Sequence, residues 1–506
     1  MKKLLSILLI LLSITICRSQ SQDLAALSNN STFISKNSIF NKDDSLFGTI
    51  FFFIKDKIDK NNWKYEYVIF DKNLNKIASK EFIQKKHFLT YENYNSCIKM
   101  GDHLLVTVAY TYNNAVEYGS GVPKYLLSTY RSISLKDSSI SDEFYFDNNN
   151  FQAVKTEDND LKKSYKNVNN VFKIYPIDNK QYSGYLVLET SKDEDLRYKI
   201  NQIKLFDLNK KPTWSYEFNQ NATNKKFQEV VTISYPDDKA IIKMANYEKN
   251  KLAGFNIICV DLKTGKKDFD YELENSKSEF SHTVVIKKFD NKIYIVGQYA
   301  KYGKRTYYED VIGLYRIELD AQGKEISKKY QPWQAAESFI KIKKNGFLEG
   351  GYRMSFKDYL IFRDGSLSYL SEKFKEGGQY SAPKTSDMVM LNFDSQFNVK
   401  GVQIIEKAKT KGYESDFLFS QYIKNDTGVV FFYQDYKKDP SDEKKKLFLG
   451  INKYIDGIYS YEEIPIQSKK DKFEINIYPA KEGYIQLREY NEKEQYNQIR
   501  LEKLNY

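Results

Sequence analysis

One hairpin recurs along this chain of 506 residues. Its clearest copy is "YRIELDAQGKEISKKYQPW", Tyr315 to Trp333. Apolar and polar residues alternate up to Asp320, the chain turns through "AQGK", and the alternation resumes. Alternation of period two marks a half-buried β-strand. Further copies turn at Asp71, Asp137, Asp207, Asp261, Asp394 and Asp456, with steps from 54 residues (Asp207 to Asp261) to 74 (Asp320 to Asp394). Aspartate suits the place because its carboxylate can accept a hydrogen bond from the backbone two residues on. Gly or Asn tolerates the positive φ such turns require, and lysine keeps the tip in water.

A short apolar run precedes each turn. These runs are "GTIFFFI", "HLLVTVAY", "GYLVLET", "AIIKMANY", "KIYIVGQY", "GFLEGGY", "GVVFFY" and "GYIQL". An alternating strand lies upstream of most of them, as in "SHTVVIKKF". One unit is therefore four antiparallel strands, and its second is apolar throughout, as a strand covered on both faces must be. Such a unit cannot bury its faces alone, but stacked units can. The pattern fits an all-β propeller of four-stranded blades. Eight apolar runs give eight blades; seven would follow if 49–82 were a partial unit. A pair of β-sandwiches would need a linker, and no Pro-, Gly- or Ser-rich stretch supplies one. With 42 Tyr and 33 Phe against 9 Pro, the composition favours strands over disorder. The last unit, from "KFEINIY", stops one strand short. Part of Leu24 to Phe40 is therefore expected to complete that blade and close the ring with a 3+1 seam.

In this pattern the chain resembles secreted bacterial β-propeller-like proteins of unassigned function. The resemblance spans nearly the whole mature chain and rests on architecture. The "GH…WD" pairs of WD40 repeats, the kelch double glycine and repeated calcium loops are all missing. It therefore implies a fold and transfers no functional residue.

The N-terminus reads as a signal peptide over 1–19. Lys2 and Lys3 precede the apolar stretch "LLSILLILLSITI", and cleavage is expected between Ser19 and Gln20. A lipid anchor on Cys17 is the lesser reading, because Ile16 stands where a small residue is required. Residues 20–506 then form a single propeller domain, exported to the periplasm or beyond the cell. No later run approaches the ~20 apolar residues of a membrane helix. The charge of +11 falls to +8 once Lys2, Lys3 and Arg18 are removed. Lysines are interleaved with acids throughout, which describes a solvated surface and no nucleic-acid stripe. Cys97 and Cys259 are expected as buried free thiols. The three histidines, His87, His103 and His282, are scattered, and read as surface or strand-edge residues.

No metalloprotease, nucleophile-elbow, thiol-redox or phosphate-loop motif occurs, and no acidic cluster has calcium-loop spacing. No cofactor or metal is expected. The loops between second and third strands are long, aromatic and basic, so they are the candidate ligand face. Their candidates are Tyr112, Tyr118, Tyr302, Arg305, Tyr307, Tyr308, Tyr352 and Arg353. The last two fall in a stretch, 352–387, read as the longest such loop. The function expected is an envelope-associated binding or scaffold module for a protein or glycan. The alternatives are a hydrolase of polysaccharide or peptide working in the central channel, and a structural accessory of a surface complex.

Overall fold

The computed structural model describes residues 31–504, apart from 43–44, 87–89, 114–122, 148–149, 154–169, 192–193, 305–309, 378–381, 412–415, 424–425, 439–444, 467–473 and 492–495. The fold is all-β, with eight successive antiparallel propeller blades. Blade 1 covers 32–85, blade 2 90–153, blade 3 170–217 and blade 4 226–274. Blade 5 covers 280–332, blade 6 353–411, blade 7 417–465 and blade 8 474–503. Each sheet has four or five strands, except that blade 8 has three among the described residues. Second strands are buried through both faces, as in Leu46–Lys57, where Ile50 to Phe53 are all at or below 1% exposure. Residues of both parities are covered because neighbouring sheets pack on each side.

The aspartate turns sit between third and fourth strands, and the carboxylate works as the sequence implies. Asp320 accepts from the N–H groups of Gln322 and Lys324 at 2.9 Å, and Asp394 from those of Gln396 (2.9 Å) and Asn398 (2.8 Å). The positive φ is not reserved for Gly or Asn. Leu74 (66°), Lys210 (63°) and Phe397 (62°) occupy it. Leu74 and Phe397 are buried, so their apolar side chains are held in the core while the aspartate bracket fixes the backbone.

These turns are also joints. Trp214 of blade 3 donates its indole N–H to the carbonyl of Leu262 in the blade 4 turn, at 2.8 Å. A Cβ on Gly323 of the blade 5 turn would lie 2.2 Å from the ring of Phe269 in blade 4, so only glycine fits. Lys329 and Gln331 of blade 5 donate to the carbonyls of Gln396 (2.6 Å) and Phe397 (2.9 Å) in the blade 6 turn. Tyr67 of blade 1 donates to the Ser138 carbonyl of blade 2, and Lys210 of blade 3 lies 4.0 Å over Phe144 of blade 2. The hairpin repeats because it is the outer half of a blade and the seat of the blade before it.

Blade 8 meets blade 1 in the same way. Lys481 donates to Asn73 Oδ1 at 2.7 Å, beside the Asp71 turn, and Ile499 shares a core with Leu74, Phe51, Phe53 and Phe70. Closure by a 3+1 seam is corrected, however, for the described part of Leu24 to Phe40, residues 24–30 lying outside the described residues. The strand Thr32–Phe40 pairs with Leu46–Lys57 as the first strand of blade 1, in register from Thr32 opposite Ile54 to Phe40 opposite Leu46. Blade 1 is thereby complete, which settles the count at eight. The reason is local: a hairpin across residues 41–45 costs far less chain entropy than pairing with the distant last blade.

A second correction concerns blade 6. "GFLEGGY" is not a second strand. Gly350 and Gly351 have φ of 75° and 76°, which a strand cannot use. Nor is 352–387 a loop. Arg353–Ile361 and Leu367–Lys375 are the first and second strands of blade 6, joined by a turn in which Asp364 accepts from the N–H of Ser366 and Gly365 has a φ of 82°.

The chain divides into two compact units. One holds blades 1, 2, 3 and 8 with the turn 261–266; the other holds blades 4 to 7. Cys97 in the first and Cys259 in the second are free and buried. Burial raises both thiols, Cys259 to about 12, so neither is a nucleophile at neutral pH.

Candidate functional site

A cavity of about 470 Å³ opens within the second unit, at blades 5 and 6. That volume falls in the range of small-molecule sites. From blade 5 come Gln298, late in the second strand, Val311, which opens the third, and Trp333, which follows the fourth. From blade 6 come Arg353 to Lys357 of the first strand, Phe374 at the end of the second and Thr385 at the start of the third. Asn345 and Gly346 of the connecting segment complete it. In antiparallel blades all these strand ends lie at the edge that carries the loops between second and third strands.

One wall is aromatic. Phe356 is 42% exposed, and its ring packs on Tyr359 (4.5 Å between centroids) and Tyr369 (5.9 Å). Trp333 gives its indole N–H to the Val311 carbonyl at 3.0 Å, so it presents only apolar surface. Gly346 is required behind it, because a Cβ there would lie 2.8 Å from the indole nitrogen and the φ is 78°. The polar wall begins with Gln298, whose Nε2 donates to the Tyr369 hydroxyl at 2.9 Å. Burial holds that hydroxyl well above the usual tyrosine range, so it stays protonated. Thr385 is 2% exposed, and its Oγ1 has no hydrogen-bond partner.

Two cations line the cavity, each with its own carboxylate. Arg353 is 2.8 Å from Glu376, whose side chain is 53% exposed. Lys357 is 3.2 Å from Glu372, which has no exposed surface. Glu372 is also 3.2 Å from Lys407, which pairs in turn with Asp416. This chain of charges binds the start of blade 7 to the floor of the site. Nearby Asp435, raised by burial, accepts from the N–H groups of Ala408 (2.9 Å) and Tyr436 (2.7 Å).

Of the candidates read from sequence, Arg353 lines this cavity, and Tyr352 precedes it on the strand edge, half-buried. Tyr302 belongs to blade 5, where its hydroxyl donates to the Ala253 carbonyl at 3.3 Å. Tyr112 lies on the second strand of blade 2, opposite Thr90. Tyr118, Arg305, Tyr307 and Tyr308 lie outside the described residues. Trp333, Phe356, Lys357 and Thr385 were not singled out. Their only sequence signal was proximity to Arg353 or to the end of a blade.

A second polar cluster lies between blades 4 and 5. His282 is buried, with Nδ1 3.1 Å from Glu274 and Nε2 2.9 Å from the Tyr330 hydroxyl. Glu274 also accepts the His282 backbone N–H at 2.8 Å. Both ring nitrogens are committed inside a core, so the trio pins two sheets together. Among the described residues no group of three or more His, Cys, Asp or Glu side chains could hold a metal ion.

Residues 141–382 match the family model "Family of unknown function (DUF6770)". No curated protein matches the chain. Solved structures that resemble it include the β-propeller domain of the Trilobed protease from Pyrococcus furiosus, at 11% identity and a TM-score of 0.34, covering 88% of this chain and 97% of that one. The polysaccharide lyase Uly1 is similar at 10% identity and a TM-score of 0.38, with 83% and 93% covered. A prolyl endopeptidase is similar at 8% identity and a TM-score of 0.39, with 94% and 56% covered. At these scores the likenesses carry nothing about chemistry.

Proposed function

We propose that the protein is an exported, envelope-associated binding module that holds a glycan in the cavity of blades 5 and 6. The observation that carries this reading is the composition of that cavity. An aromatic wall formed by Trp333 and Phe356 shares the cavity with the polar side chains of Arg353, Lys357, Gln298, Asn345 and Ser355. Sugars need both halves: apolar surface for the C–H face of the ring and fixed donors and acceptors for its hydroxyls. The alternative reading, a hydrolase, needs a pair of carboxylates facing the scissile bond. No carboxylate is among the described lining residues, and Glu372 and Glu376 are each paired with a cation, so no observation favours hydrolysis there.

Titration calorimetry against a panel of envelope and plant oligosaccharides tests the reading. Phe356 is exposed, so Phe356→Ala leaves the fold intact. It is expected to weaken the best ligand by about ten-fold, the scale of one lost aromatic contact. Unchanged affinity in that variant would place the glycan elsewhere.

A further inference from the structure

We infer that the glycan of this cavity carries N-acetyl groups, and that Gln298 is the residue that reads them. The inference rests on the glycan reading above and names the substituent. Both cations of the lining are already paired with carboxylates, Arg353 with Glu376 and Lys357 with Glu372. Nothing in the lining therefore calls for a charged ligand, and its uncharged polar groups are the ones with bonding capacity to spare.

Gln298 is partly exposed, and its Nε2 donates to the Tyr369 hydroxyl at 2.9 Å. That bond fixes the orientation of the amide. Among the described residues nothing donates to its Oε1. Unlike Thr385 Oγ1, that oxygen is not enclosed. The cavity thus contains a positioned acceptor. A sugar hydroxyl can meet it, but must give up its rotation to do so. An amide N–H only donates and arrives already oriented.

An acetamido group is planar, with its N–H and C=O pointing in opposite directions. A site that reads it needs an acceptor on one side, a donor on the other and apolar surface for the methyl group. Blade 5 gives the acceptor, Gln298. Donors come from across the cavity. Asn345 of the connecting segment is exposed, and its amide has no partner among the described residues. Ser355 of blade 6 accepts from Lys357 Nζ at 3.4 Å and keeps its own proton for a ligand. The apolar surface adjoins the acceptor, because Gln298, Trp333 and Phe356 are grouped around one buried side chain. Gln298 bonds the Tyr369 hydroxyl, and the rings of Trp333 and Phe356 each lie 5.9 Å from the Tyr369 ring. Trp333 has spent its N–H on the Val311 carbonyl, so it offers the methyl group apolar surface alone.

The test is calorimetry on the full chain with two matched pairs of oligosaccharides. Oligomers of N-acetylglucosamine are set against oligomers of glucose with the same linkage, and oligomers of N-acetylgalactosamine against those of galactose. At least one acetylated oligomer is expected to bind, with its hydroxyl counterpart about ten-fold weaker, the scale of one lost hydrogen bond. Raising the salt should leave that ratio unchanged, because the contact involves no charge. Gln298→Met keeps the length of the side chain and removes the acceptor, so it should bring the pair to equal affinity. Gln298→Glu keeps an acceptor and should retain part of the preference. The ratio within a pair is the readout, so a variant that merely loosens the site weakens both members and does not imitate the effect. Equal affinity within both pairs, a preference for the hydroxyl forms, or a preference that survives Gln298→Met would overturn the N-acetyl assignment and leave the glycan reading standing. If neither pair binds while another oligosaccharide without N-acetyl groups does, the N-acetyl assignment falls alone. If no sugar binds at all, both readings fall.

Discussion

Thr385 is among the described residues whose buried polar side-chain atoms have no hydrogen-bond partner. A hydroxyl buried to 2% exposure without a hydrogen bond costs about 1–3 kcal/mol. Thr385→Val keeps the shape and removes the hydroxyl, so the protein should be unchanged or more stable in a thermal melt. A loss of stability on that change would mean the hydroxyl has a structural partner. Leu74 poses the opposite trade. Its φ of 66° is unfavourable for a non-glycine residue by roughly 1–2 kcal/mol, whereas emptying a buried leucine site costs about 2–5 kcal/mol. Leu74→Gly should therefore destabilise, by up to about 4 kcal/mol in denaturant titration on those two ranges; a gain in stability would show that backbone strain outweighs packing there. Neither residue was legible as special in the sequence. A threonine or leucine declares its exposure through neighbours brought from other blades, and one chain in isolation does not align those neighbours.

At the scale of the element, the aspartate turn was the most legible feature, because its physics is local. A carboxylate two residues before a waiting N–H is a short-range arrangement that tertiary context does not alter. Its second role, as the seat of the preceding blade, was not legible, since Trp214 and Leu262 are far apart in sequence. Asp320→Ala should cost about 1–2 kcal/mol through two lost backbone hydrogen bonds, read as a shifted unfolding midpoint. The turns also set an acid limit. Hydrogen bonds from Ser134 and Ser139 hold the carboxyl of Asp137 well below its ordinary value. A carboxyl with a depressed folded pKa stabilises fully above its unfolded value, about 4, and that contribution is lost as pH falls through the folded value. Stability should therefore decline below about pH 4, and Asp137→Asn should flatten that limb of the profile. The errors at this scale share a cause. "GFLEGGY" looked apolar enough for a strand, but its glycine pair adopts positive φ, and composition alone does not separate a strand from a turn of the same hydropathy.

At the scale of the whole molecule, the all-β class and seven of the eight blades could be read from the apolar second strands, whereas the run counted for blade 6, "GFLEGGY", precedes that blade and is not its second strand. The use of Thr32–Phe40 in blade 1 could not be read, since one spare strand fits either end of a repeat. The contact of blade 8 with blade 1 rests on Ile499 within the Phe51, Phe53 and Phe70 core. Ile499→Ala should cost about 2–5 kcal/mol. A cost near zero would mean that blade 8 contributes little to the stability of blade 1. Site residues were the least legible, because Arg353, Thr385 and Trp333 meet only after blades 5 and 6 are placed side by side.

The most direct test of the central claim is hydrogen exchange on the full chain, with and without the best-binding oligosaccharide of the calorimetric panel at saturation. New protection is expected at the cavity, in the peptides that hold Gln298, Trp333, 345–357, Phe374 and Thr385, and the ligand concentration that gives half of it should rise about ten-fold in Phe356→Ala. Protection confined to other blades, or none at all with ligand bound, would contradict the assignment of this cavity as the binding site.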